Sequence, residues 1–333
     1  MRKIIMDVDT GTDDAIAIMA AALAPELELV ALCSVHGNTS VENTTRNTLR
    51  AAFAAGNDTM PVYPGMAGPL VKTLDPLRAQ TVPEPVLKGE SIIEGKKVAM
   101  NPDLLPLPDP PRAPEHMSAV LFYVNFLRSA QEKYVIVATG ALSNLAMAMI
   151  LAPDISANIE EVVIMGGGIE KTNITAAAEA NFFKDPEAAA IVLRCGARIT
   201  ICTLDATHSC SLDATHEARI RAIGSTAAIF TANDIRARRE SYNRHQPLER
   251  FDTAPIHDAL CIAWLLDPSV AVKSCKAACD VDCSSGISEG RLQVDRRCFH
   301  RPANVTLVTR ADPDRFCDIL ANCFLGKEQA ECR

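Results

Sequence analysis

A chain of 333 residues with 33 Lys and Arg against 41 Asp and Glu has a formal net charge of -8, so it offers no basic face to a nucleic acid or an acidic membrane surface. At 48% hydrophobic and 22% charged residues, the composition is that of a water-soluble globular protein with material for a large core. No run of about eighteen apolar residues occurs, and Asp7 and Asp9 fall where a signal peptide would need its apolar stretch, so a cytoplasmic protein with reduced thiols is expected.

Ile4, Ile5, Met6 and Val8 read as a buried strand, and the carboxylates Asp7, Asp9, Asp13 and Asp14 crowd its end. The following AIAIMAAALA is a helix of strong formers. The aspartates therefore occupy a turn from strand end to helix start, where open α/β folds bind ligands. A helix dipole offsets such repulsion by only ~0.3–1 kcal/mol per carboxylate. A hard divalent cation held by oxygens offsets far more. Capping alone explains Asp13 and Asp14, but not Asp7 and Asp9, which alternate with apolar residues.

Residues 29–35 form a second apolar strand ending at His36-Gly37-Asn38, and 41–55 a helix with Thr44, Thr48 and Ala52 turned inward. Strand, helix, strand, helix implies a parallel sheet. Residues 61–114 break this rhythm with Pro102, Pro106, Pro108, Pro110, Pro111 and Pro114; the expected organisation is one domain over 1–333 with a proline-rich insertion or lid at 64–114. A helix over 115–131 and a strand over 134–138 follow, then the small-residue turn Thr139-Gly140-Ala141-Leu142-Ser143-Asn144, a helix over 145–151 and a strand over 161–165. Gly166-Gly167-Gly168 lacks the lysine of a P-loop and suits a turn or a close backbone approach to a small ligand.

Glu179 and Asn181 alternate around Ala180 and can face one pocket, whereas Asp185-Pro186 is the cap and first turn of a helix over 188–194. A strand over 198–204 ends at Asp205, and helices over 212–223 and 226–239 come next. Arg236, Arg238, Arg239 and Arg244 read as a solvated helix face. His257-Asp258 opens the apolar helix ALCIAWLL, in which Trp264 is a core residue. Strands over 277–283, 292–294 and 305–308 precede a helix over 312–325, and Cys275, Cys279 and Cys283 are expected to line the inner face of a strand. Fold class is thus α/β: an open, mostly parallel, Rossmann-like sheet flanked by helices, with a small extra β element.

Polar residues recur at strand ends: the four aspartates, Asn38, the carbonyls near Thr139, Glu179, Asn181 and His257-Asp258. Oxygen dominates this set, which suits Ca²⁺ or Mg²⁺ rather than zinc. Asn and carboxylate side chains also match sugar hydroxyls.

The run Asp7-Val8-Asp9-Thr10-Gly11-Thr12-Asp13-Asp14-Ala15 closely resembles the amino-terminal signature of the inosine-uridine preferring nucleoside hydrolases. The resemblance continues through Val35-His36-Gly37-Asn38, Thr139-Gly140-Ala141-Leu142-Ser143-Asn144, Val163-Ile164-Met165-Gly166-Gly167-Gly168, Glu179-Ala180-Asn181, Asp185-Pro186-Glu187-Ala188-Ala189 and His257-Asp258. It implies hydrolysis of the N-glycosidic bond of a ribonucleoside to ribose and free base, through an oxocarbenium-like transition state. It implies one Ca²⁺ held by Asp9, Asp14, Asp258 and the carbonyl of Thr139, with Asp9 as base toward a metal-bound water. Asp13, Asn38, Glu179 and Asn181 would grip the ribose, Met165 would line its pocket, His257 would assist departure of the base and Tyr242 would contact it. Asp7 would support the loop. A small-molecule nucleoside as partner, and a homodimer or homotetramer, are also implied.

Two departures stand out. The family usually has proline where Thr10 stands, and its flap histidine is replaced near Lys88-Gly89-Glu90-Ser91; no histidine lies between Asn38 and His116. Two other readings compete: a haloacid dehalogenase-like Mg²⁺ phosphatase with Asp7 as nucleophile, and a non-catalytic, calcium-dependent nucleoside-binding protein.

Overall fold

Strand β1 (Arg2–Val8) alternates sides along its length: Ile4, Met6 and Val8 enter one core and Ile5 the other. In this computed structural model, which describes residues 1–78, 90–93, 96–299 and 301–330, β1 is an interior strand of the main sheet. The remaining strands are β2 (Leu27–Ser34), β3 (Val62–Tyr63), β4 (Glu90–Ile93), β5 (Lys96–Ala99), β6 (Tyr134–Ala138), β7 (Ile159–Met165), β8 (Arg198–Cys202), β9 (Ala271–Val281), β10 (Leu292–Asp295) and β11 (Val305–Ala311).

Among the described residues the main sheet has nine strands in the order β10-β9-β11-β8-β7-β6-β1-β2-β3. β9 runs antiparallel to β10 and β11, and the other neighbouring pairs are parallel. Strand order reverses between β1 and β6. In doubly wound sheets the crevice outside the carboxyl ends of those two strands is where ligands bind, and Asp9 and Thr139 sit at its two lips.

One core packs the helices Thr12–Leu23, Ala259–Leu266 and Pro313–Ala330 on one face, the other packs Ala119–Ser129, Ser143–Leu151 and Pro186–Val192 on the opposite face. Burial on both faces explains why the central strands read as continuous apolar runs rather than alternating ones. Thr44, Thr48 and Ala52 are buried as the helical spacing requires, and Trp264 packs against the first core. No helix among the described residues is long and apolar enough to cross a membrane.

The structure corrects several sequence expectations. The strand expected over 198–204 ends at Cys202, because Thr203 caps the short helix Leu204–Ser209 by accepting from Ala206 N. Asp205 lies in that helix, where its carboxylate accepts from Ile169 N and Glu170 N and fixes the loop after the glycines. A second short helix, Ala180–Lys184, escaped the apolar pattern because its start is set by a side chain: Glu179 accepts from the amides of Asn181 and Phe182. The helix expected over 226–239 extends over Thr226–His245. Its Arg238 is not solvated; it is buried between Asp13 and Asp234, while Arg236 and Arg244 are exposed. Cys279 is buried on β9 and Cys275 half-buried there, but Cys283 lies beyond the strand.

Inside the proline-rich segment, β3 adds to the sheet edge beside β2, and β4 and β5 form a separate antiparallel pair, with β4 against the helix Thr226–His245. Lys88 and Gly89, the first half of the flap comparison, lie outside the described residues.

Asn144 ties these parts together. Its Nδ2 donates to Asp7 Oδ1 on β1 (3.1 Å) and to the carbonyl of Ser34 on β2 (2.9 Å), and its Oδ1 accepts from Met66 N (2.8 Å). Asn144→Ala leaves these buried groups unpaired, and urea unfolding is expected to show a loss of about 3 kcal/mol with an unchanged m value.

Candidate active site

The end of β1 presents Asp9, and a tight turn then starts the helix Thr12–Leu23 with Asp13 and Asp14 in its first turn. All three are buried, and a fourth carboxylate, Asp258, reaches them from the start of Ala259–Leu266. Carboxylate oxygens of Asp13, Asp14 and Asp258 lie within 4.8 Å of one another. Burial, and then the charges of Asp9 and Asp13, push Asp14 well above the ordinary carboxylate range; burial followed by Asp13, Asp14 and Asp9 does the same to Asp258.

Two cations offset part of this charge. Arg238 Nη2 donates to Asp13 Oδ1 (2.7 Å) and, against the effect of burial, holds Asp13 below its ordinary value. Lys184 Nζ pairs with Asp9 Oδ2 (2.7 Å), which also accepts from Asn38 N (2.9 Å). Burial still leaves Asp9 raised. Among the described residues no Lys or Arg pairs with Asp14 or Asp258. Buried, oxygen-only and under-compensated, this donor set suits a divalent cation.

The other expected residues converge on the same cleft. Asn38 Nδ2 donates to the Asp9 carbonyl (3.2 Å). Thr139 Oγ1 donates to Asp14 Oδ1 (2.7 Å), and the Thr139 carbonyl accepts from Asn181 Nδ2 (2.7 Å). Glu179 accepts from Gly167 N (2.8 Å), so the glycine loop is fastened to the residue that caps the next helix. Met165, Tyr242 and His257 line the cleft together with Asp9, Asp13 and Asp258.

A family model described as "Inosine-uridine preferring nucleoside hydrolase" matches residues 4–318. The chain belongs to this family. It is 35% identical over 321 residues to the pyrimidine-specific ribonucleoside hydrolase RihA of Shewanella woodyi, covering 96% of this chain and 97% of that protein. It is 34% identical over 323 residues to the RihA of Escherichia coli O1:K1, covering 96% and 97%. Among solved structures, the purine-preferring ribonucleoside hydrolase from Gardnerella vaginalis superposes with a TM-score of 0.82 at 28% identity, covering 97% of this chain and 99% of that one. An inosine-guanosine nucleoside hydrolase with a TM-score of 0.80 at 23% identity, covering 98% and 100%, shares the fold.

This nucleoside hydrolase is thus an enzyme that cleaves ribonucleosides to ribose and free base. The phosphatase reading also fails on geometry. Asp7, its required nucleophile, shares the face of Ile5, takes two hydrogen bonds from Asn144 and does not line the cleft. Burial pushes Asp7 up to about 7.

His257 is placed differently from a free proton donor. Its Nδ1 meets Thr207 Oγ1 (2.8 Å) and its Nε2 meets the Tyr242 hydroxyl (2.8 Å). Burial pushes it down to about 3, so it is neutral. Two residues of the nucleoside hydrolase site escaped sequence reasoning. Lys184 lies between Glu179-Ala180-Asn181 and Asp185-Pro186-Glu187-Ala188-Ala189 and carried no signal of its own, and Arg238 read as part of a solvated helix face. Met100 and Asn101, from the proline-rich segment, also line the cleft, and Thr12 Oγ1 donates to the Met100 carbonyl (2.9 Å).

Gly37 has no room for a side chain: a Cβ there would stand 1.8 Å from Asp9 Oδ2. Gly37→Ala must displace Asp9, and steady-state assays of the folded variant are expected to show kcat/KM reduced about 10²-fold.

Proposed function

We propose that this enzyme hydrolyses its nucleoside with Asp9 as the base that takes a proton from the attacking water, and with one Ca²⁺ as resident ion. The buried carboxylates Asp9, Asp13 and Asp258 on one cleft, with Asp14 within 4.8 Å of Asp13 and Asp258 and with Arg238 and Lys184 as counter-charges, carry this reading. Negative charge fixed around C1′ favours the positive charge that grows on the ribosyl ring as the glycosidic bond stretches.

Asp14 and Asp258, which lack a cation of their own among the described residues, would hold the ion with Asp9 and the Thr139 carbonyl. When bound, such an ion supplies Lewis acidity that generates a nucleophile from water at neutral pH. Mixed carboxylate and carbonyl donors suit Ca²⁺, which accepts irregular oxygen shells, better than Mg²⁺, which demands a tight octahedron. Asp13, kept ionised by Arg238, accepts from a ribose hydroxyl. Asn38, Glu179 and Asn181 orient the remaining hydroxyls, and Met165 packs against the sugar. The base lies toward Tyr242 and His257, and Met100 and Asn101 of the proline-rich segment cover that side as part of a lid. Asp7 supports the site from behind through Asn144. Assembly as a homodimer or homotetramer in the cytoplasm completes the proposal.

A reducing-sugar assay over uridine, cytidine, inosine, guanosine and adenosine tests the reaction. Ribose release from at least one, lost on exhaustive chelation and restored by Ca²⁺, is expected; release that survives metal removal would count against the ion, and Asp9→Asn with unimpaired turnover would count against the base. Binding can be read apart from activity. Ca²⁺ at about 100 times its Kd should stabilise the wild type by about 2.7 kcal/mol in thermal unfolding. Asp258→Asn, which removes one of the crowded charges, should melt higher than the metal-free wild type and respond little to Ca²⁺.

A further inference from the structure

The departing nucleobase needs a donor, and His257 does not offer one directly, since Thr207 and Tyr242 engage both its ring nitrogens. No histidine between Asn38 and His116 is present to replace it. The cleft wall formed by the helix Thr226–His245 supplies a different group. Arg238 and Tyr242 line the cleft one turn apart on that helix, and Gln246 continues the line at its end.

Arg238 is held as a fixed charge. Nε donates to Asp234 Oδ2 (2.8 Å), and Nη2 donates to Thr12 Oγ1 (2.8 Å) and Asp13 Oδ1 (2.7 Å). Nη1 makes no hydrogen bond to any described residue, although the side chain is 3% exposed. A guanidinium gripped at two nitrogens presents the third as a rigid donor edge, beside the carboxylate assigned to the ribose and the tyrosine assigned to the base.

We infer that Arg238 is a catalytic residue for departure of the leaving group, donating through Nη1 to a carbonyl oxygen of an oxo-nucleobase as the N-glycosidic bond breaks. This rests on the hydrolytic reading above. The electron pair of the breaking bond passes to the ring nitrogen and spreads to the exocyclic oxygen, where the fixed cation stabilises it. Water oxygen bonds to C1′ and its proton passes to Asp9 and then to solvent; the base anion takes a proton from solvent, which gives ribose and neutral base. A guanidinium only donates, so it selects acceptor edges. Uracil and hypoxanthine fit this edge better than the amino edge of adenine.

The test compares uridine and inosine with 4-nitrophenyl β-D-ribofuranoside, whose phenolate departs without such help. Arg238→Gln is expected to lower kcat/KM for the two nucleosides about 10²-fold more than for the nitrophenyl riboside, whose own smaller loss reads the weakened hold on Asp13. Arg238→Lys keeps a charge beside Asp13 and Asp234 but loses the planar fork, so it should show the same split with a smaller loss, and it serves if the glutamine variant does not fold. Equal loss on all three substrates in the soluble variants would overturn the inference and leave Arg238 as a support for Asp13. Failure of the wild type to release ribose from any of the three would instead overturn the hydrolytic reading.

Discussion

Everything in this structure answers to one electrostatic problem, the burial of Asp9, Asp13, Asp14 and Asp258 at a single point of the sheet. Isolated carboxylates do not survive in such surroundings as ions, because desolvation costs several kcal/mol each. Here the cost is met by Arg238 on Asp13, Lys184 on Asp9, amides of the turn and hydroxyls such as Thr139. What remains uncompensated is negative charge that attracts a cation and, in the proposed reaction, favours positive charge on the ribosyl ring. Stability is surrendered locally and recovered in the two cores that sandwich β1.

Placement of that charge follows from topology. Strand order reverses between β1 and β6, so their carboxyl ends diverge and leave a crevice that no helix fills. Asp9 and Thr139 are the first residues beyond those strands, and Asn38 lies beyond β2. The cleft therefore collects polar groups from segments far apart in sequence, among them Asp9 and Thr139 at strand ends and Asp13 and Asp258 at helix starts. Side chains carried on strand and helix termini are held more firmly than loop residues, which suits a site that must resist its own repulsion.

Much of this was legible in the residues, and the parts that were not share a cause. Central strands and long helices carry their period in apolar side chains, so residues 4–8, 134–138 and 259–266 were readable to within a few positions. The short helices Ala180–Lys184 and Leu204–Ser209 are set by Glu179 and Thr203 acting as caps, and a cap has no periodicity. Asp13, Asp14 and Asp258 were recognisable as oxygen donors by their place at helix starts. Their counter-ions were not, because the burial of Arg238 and Lys184 depends on which elements meet them across the fold. A helix with Arg236, Arg238, Arg239 and Arg244 reads as solvated whether or not one of the four turns inward.

Asp185 gives this arrangement a further property. Its Oδ2 accepts from Leu70 N and from Ser143 Oγ, while Oδ1 caps the next helix through Ala188 N. Farther along, Leu105 N is held by Asn47 Oδ1 and the Leu105 carbonyl by Arg50. The intervening chain, which contributes Met100 and Asn101 to the cleft, is thus moored at both ends to the sheet-bearing scaffold rather than to the carboxylates. Between the moorings the Met100 carbonyl accepts from Thr12 Oγ1, which in turn accepts from Arg238, so changes of length or sequence there reshape the cleft wall at a joint beside the carboxylates, and substrate range and hydrolytic competence evolve as linked traits.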